Sequence, residues 1–210
     1  MARFVDGDRS LENLIEFPDI EGDFLEVVHC VAWVVSYGRV RSNTCFASAF
    51  RDQRFGEAIE SAISSARVTP AIVDGNPRSV QFYYRVVFLQ KGGSTDIGVY
   101  PNWGHDVDML GPYYEAPQRY NELFFPSACG AHGRNVGVIA TMVVGADGTL
   151  DGDVVVRAFG PKSVKKCVKS VKRILGRAKY VPGRHNGMPV KATRVEYQGN
   201  YDSIRIDPPD

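Results

Sequence analysis

The sequence predicts an α+β fold made of two tandem units. Each is read as a three-stranded antiparallel sheet in the order strand–strand–helix–strand (ββαβ), with one helix packed on one face. Three observations predict it. Turn residues recur at a nearly fixed offset: Gly38 falls on Gly148, and Ala66, Pro70, Gly75 and Pro77 fall on Ala178, Pro182, Gly187 and Pro189. Each copy also holds apolar runs bounded by turn residues, and each holds one apolar stripe at helical spacing.

The first strand of each copy is the apolar run Val27 to Val35, and again Val136 to Val144. Ser36-Tyr37-Gly38-Arg39 and Ala146-Asp147-Gly148-Thr149 read as the turns that follow, and Asp-Gly supplies the positive φ angles of a tight hairpin. The second strands run from Val40 to Ser48 and from Asp153 to Phe159. In the helix of copy one, Phe55, Ile59, Ala62, Ile63 and Ala66 share a face. In copy two Val164, Cys167, Val168, Val171, Ile174, Leu175 and Ala178 do the same. Pro161 suits a first helical turn, and the helices stop before Pro70 and Pro182. Turns at Asp74 to Pro77 and Asn186 to Pro189 lead to third strands, Ser79 to Leu89 and Val190 to Tyr197. Val80, Phe82, Tyr84, Val86 and Phe88 alternate as on a half-buried sheet. The units are placed at 17–90 and 123–201, joined by an aromatic-, Gly- and Pro-rich linker at 91–122.

Composition narrows function mostly by exclusion. Hydrophobic residues are 44% and charged residues 23% of the 210, enough apolar side chain for a core. A net charge of +1 gives no global field toward nucleic acid or an anionic membrane. The charge is nonetheless segregated: residues 1–26 are acidic and residues 162–184 basic. Solvated faces are the ordinary explanation, and docking or an anionic partner the sharper one. No apolar run reaches the roughly 20 residues of a membrane span, and no secretory leader is recognisable.

No GxSxG, P-loop, HExxH or GxGxxG motif occurs, so no enzyme, cofactor or metal site is assigned. His105, Asp106 and Asp108 lie close enough in sequence to share a metal, but packing of the linker aromatics on the sheets is the favoured reading. The four cysteines have no zinc spacing. A hairpin centred on Tyr37-Gly38 sets Cys30 opposite Cys45, and Cys129 with Cys167 would then form a second disulfide. Two disulfides would indicate an oxidising compartment. Four buried free thiols are the equal alternative.

Phe125-Pro126, Asp147-Gly148, the helix from Pro161 to Ala178, Tyr180-Val181-Pro182-Gly183 and Asn186-Gly187-Met188-Pro189 occur in one order. This set resembles the C-terminal domain family of TonB. Copy one has Tyr37-Gly38 and Val68-Thr69-Pro70 at the matching places, so it resembles the family less. The resemblance implies a non-catalytic protein- or peptide-binding module of the Gram-negative envelope, in the periplasm. In that family an extended peptide pairs with the third strand by β-augmentation. Here that strand is Val190, Lys191, Ala192, Thr193, Arg194, Val195, Glu196 and Tyr197. The partner would be an envelope protein, an extended peptide segment or a second copy. Nucleic acid is not expected, and membrane is reached only through an anchor or partner outside this sequence. Two alternatives stand beside this. The repeats could bury each other's edges in a structural or assembly role, or the basic helix 162–178 could bind anions or nucleic acid.

Overall fold

A computed structural model of the chain describes residues 1–46, 52–121, 129, 137–159 and 164–199. The protein is α+β, with antiparallel sheets and few helices. Its main elements are β1 (Phe24–Val34), β2 (Val40–Phe46), α1 (Arg54–Ile63), β3 (Val80–Lys91), β4 (Ser94–Tyr100), β5 (Gly137–Val144), β6 (Val155–Phe159), α2 (Val164–Leu175) and β7 (Ala192–Gly199). Phe125-Pro126, Pro161 and Lys162 lie outside the described residues.

The alternation read from sequence decides which face of the first sheet is buried. Val28, Cys30, Ala32 and Val34 of β1 point one way, with Phe82, Tyr84, Val86 and Phe88 of β3 beside them. Phe55, Ile59, Ala62 and Ile63 of α1 close over this face. A second core forms from Val138, Ala140, Met142 and Val144 of β5 with Cys167, Val171 and Leu175 of α2. Each fully buried Val, Ile, Leu, Met or Phe side chain among these contributes roughly 1.5–3 kcal/mol by leaving water.

Strands are ordered β2-β1-β3 in the first sheet and β6-β5-β7 in the second. The expectation of a three-stranded first sheet is corrected. Among the described residues this sheet has six strands. Gly92 and Gly93, at φ 57° and 81°, form a two-residue turn that returns the chain as β4 alongside the outer half of β3. Arg119 pairs with Gln81 near the other end of β3, and Gln118–Arg119 in turn pairs with Tyr180–Val181. The 91–122 stretch therefore contributes strands to the first sheet, and a segment that follows α2 completes it.

The short turns follow from their residues. Asp74-Gly75 and Asn186-Gly187 all have positive φ and close two-residue hairpins, Ala71–Val73 with Asn76–Arg78 and Gly183–His185 with Met188–Val190. At Asp147-Gly148 the expected pair of positive φ angles is reduced to one. Gly148 alone is left-handed, at φ 82°. The Asp147 carboxylate instead accepts from the Thr149 N–H at 2.9 Å, so its side chain holds the turn from within.

Cys30 and Cys45 are paired across β1 and β2 with their Cα atoms 4.1 Å apart, and they form a disulfide. Cys129 and Cys167 form the second. Two disulfides fit an oxidising, extracytoplasmic environment. Among the described residues, no helix is long and apolar enough to cross a membrane.

Candidate functional site

Strand β7 alternates by residue type. Thr193, Val195 and Tyr197 share one side of the second sheet with Val143, Thr141 and Ile139, and Ala192, Arg194 and Glu196 share the other. The first set faces the first sheet. Tyr197 and Val195 enter one apolar cluster with Tyr83, Trp103, Val31 and Phe46. The ring of Phe46 meets Tyr197 edge-on at 5.1 Å, and that of Tyr83 meets Trp103 at 4.6 Å.

Trp103 is fixed by its indole N–H, which donates to the Cys30 carbonyl at 2.8 Å. The buried Asn102 orders the loop around it. Its amide donates to the carbonyls of Pro112 and Tyr114, each at 2.8 Å, and its oxygen accepts from Arg85 and from the Gly104 N–H. The packing reading of the linker aromatics is thus realised at Trp103 and Tyr114, both buried.

The outer edge of β7 is where the resemblance to the TonB family would put an added peptide. Thr193 donates its backbone N–H to Asp106 at 2.6 Å and its hydroxyl to the same carboxylate at 3.0 Å. Tyr197 donates its N–H to the Tyr83 hydroxyl at 3.3 Å. Two N–H groups that an added strand would use are therefore engaged by residues 83 and 106 of the same chain. Val190 lies in the hairpin strand opposite Gly183. Lys191 is exposed and pairs with Asp151 at 2.6 Å. Ala192 is buried.

Arg194 and Glu196 sit on the opposite side of the strand, both 1% exposed. Arg194 donates from Nε to Glu196 Oε1 at 2.9 Å, and Arg119 does so at 2.8 Å. The remaining guanidinium groups bind Gln81 and the Pro117 and Asn121 carbonyls. Arg194 also stacks over the rings of Tyr83 and Tyr180, at 4.8 and 5.6 Å. Burial opposes ionisation of Glu196, but the two guanidiniums outweigh it and hold its carboxyl below the usual range. Burial, then the Glu196 charge, pushes the Tyr83 hydroxyl well above its ordinary value, so it stays protonated. Glu196 Oε2 has no hydrogen-bond partner among the described residues.

Asp106, one of the three linker residues considered for a metal, is thus a strand-edge ligand. Among the described residues no group of three or more His, Cys, Asp or Glu could hold a metal ion. Arg119, Gln81 and Asn102 were not among the residues singled out from sequence. The local trace of the cluster in the sequence is Arg194 and Glu196, two positions apart and so on one side of the same strand.

Comparison with known proteins finds no matching family model, no matching curated sequence and no matching solved structure.

Proposed function

We propose that this chain is a non-catalytic assembly and protein-binding module of the Gram-negative cell envelope, working in the periplasm. It is built from two units resembling the TonB C-terminal domain, with the β7 edge of the second met by groups from the rest of the chain. One observation carries this reading. The edge of β7, where a peptide would add, is met by Asp106 and Tyr83, and the buried Arg119–Glu196–Arg194 cluster lies behind it. This favours the assembly role over peptide binding at Val190 to Tyr197. The proposed duplication is supported by the recurrence of strand order, and by Gly38 and Gly148 each abutting the carbonyl two residues before a proline. The two disulfides support an oxidising compartment.

The test is amide hydrogen exchange by NMR, combined with titration by a panel of extended peptides. Slow exchange at Thr193 and Tyr197, with no peptide-induced shifts along β7 at millimolar concentration, is expected. Asp106→Ala should speed exchange at Thr193 by at least tenfold. Saturable shifts confined to β7 in the wild-type chain would return the reading to peptide binding at that strand.

A further inference from the structure

We propose that β6, at the opposite edge of the second sheet, docks an extended acidic segment of another protein. The direction of the backbone groups leaves this edge open. In an antiparallel pair, each residue sends its N–H and C=O to the same side. The N–H groups of Thr193 and Tyr197 leave the sheet, so Ala192, Arg194 and Glu196 bond to β5. Their partners Val144, Met142 and Ala140 face β7, and Gly137, Ile139 and Thr141 therefore face β6. There they meet Phe159, Arg157 and Val155. It follows that Val156 and Ala158 aim their N–H and C=O groups outward. Among the described residues no strand pairs with that edge.

Side chains beside the edge are suited to a partner. Val155 is 55% and Phe159 46% exposed, and they flank exposed Arg157 on one face. An open edge bearing exposed apolar residues is a template for strand addition.

The charge sets the chemistry of the occupant. Between Asp153 and Glu196 the sequence has twelve Lys and Arg and not one Asp or Glu. Helix α2 packs over β6 and β5, and Lys165, Lys169 and Lys172 on it are exposed. Among the described residues no carboxylate pairs with these three. Asp151, the nearest acid but one, is already held by Lys191. A second copy is the wrong occupant, because pairing two β6 strands would bring two Arg157 side chains and two basic helices together. An anionic lipid surface would use the lysines but leave the backbone groups of Val156 and Ala158 unused. An acidic strand satisfies both.

The test uses the full chain with its disulfides intact, labelled with nitrogen-15. The probe is a capped octapeptide alternating Glu and Val. Its Lys–Val counterpart and phosphatidylglycerol vesicles are the comparison arms. Expected are saturable shifts at the Val156 and Ala158 amides, and binding at least tenfold weaker for the Lys peptide. Ala158→Pro removes an outward N–H and leaves the ladder to β5 intact, so it should weaken binding at least fivefold with a native spectrum elsewhere. Lys165→Glu with Lys169→Glu should weaken it tenfold without touching the edge. The proposal is overturned by any of four results: no shifts at millimolar peptide, equal binding of the Lys peptide, self-association through β6, or vesicle binding alone. Shifts at Thr193 to Tyr197 instead would overturn the proposed function, a separate outcome.

Discussion

Arg119 Nε and Glu196 Oε1 meet at 2.8 Å with side chains 4% and 1% exposed, although the two residues are 77 positions apart. A charge buried so completely is tolerable only while its partners stay in place. Glu196→Ala would leave the guanidiniums of Arg119 and Arg194 facing each other without a carboxylate. It should cost about 3–5 kcal/mol. The control is Lys191→Ala, which breaks an exposed pair with Asp151 and should cost no more than about 1 kcal/mol. Urea unfolding of both variants checks the contrast, and equal costs would mean the cluster does not hold the two sheets together.

Acid should destabilise the protein through two groups. Burial, partly offset by a hydrogen bond to the Trp103 backbone, lowers the His29 pKa to about 4. The imidazole is therefore neutral in the fold while the unfolded chain takes up a proton below its ordinary value of 6.5. Stability should be flat above pH 6.5 and fall as pH drops from 6.5 to about 4, by up to about 3 kcal/mol. His29→Gln should flatten that part of the profile. Glu196 is depressed from its ordinary 4.5, so its contribution is present above that pH and is lost as pH falls through its lower folded value. Unfolding free energies between pH 3 and 8 would show the two regions. A profile unchanged by His29→Gln would remove the first.

Reduction should be costly, and unequally so. The Cys30–Cys45 bridge spans 15 residues of sequence and Cys129–Cys167 spans 38. Loop-closure entropy puts their contributions at about 3 and about 4 kcal/mol. Cys30→Ala with Cys45→Ala removes a bridge between strands already paired in register. Cys129→Ser with Cys167→Ser removes a tether from α2, which should loosen the helix more. Thermal melts of each double variant, with intact mass to verify the remaining bridge, measure both. The reverse ranking would show that local strand pairing, and not loop length, dominates here.

The core was legible because it is written locally. Val28 to Val34, Val80 to Phe88 and the stripes of α1 and α2 each declare their buried side by period. Cys30 and Cys45 were readable as partners because a hairpin fixes its own register. The Gly92-Gly93 signal was equally local, and reading it as linker hid β4. What could not be read is what joins the sheets. Arg119 comes from a two-residue strand, and nothing near it in sequence announces Glu196. Asp106 reaches the edge of β7 from 87 positions away. Those contacts arise from the packing of one sheet on another, which has no periodic trace in the chain.

Two turn glycines should not tolerate alanine. A Cβ on Gly38 would lie 2.2 Å from the Val68 carbonyl oxygen, and one on Gly148 would lie 2.5 Å from that of Tyr180. Both have φ near +80°, so alanine would meet a backbone penalty and a backbone clash together. Gly75, at φ +74°, has nothing within 4 Å of its Cβ position and isolates the conformational part. Gly75→Ala should cost about 1–2 kcal/mol. Gly38→Ala and Gly148→Ala should cost about 2–5 kcal/mol, since the neighbouring carbonyl belongs to a paired strand and cannot yield cheaply. The Gly148 variant should act further. Tyr180 stacks on Arg194, so displacing its carbonyl should disturb the buried cluster and speed exchange at Thr193 and Tyr197. Gly38→Ala, whose neighbour Val68 pairs with Phe4, should leave those two amides unchanged. If both variants perturb β7 alike, the turns act through general destabilisation and not through the strand each one touches.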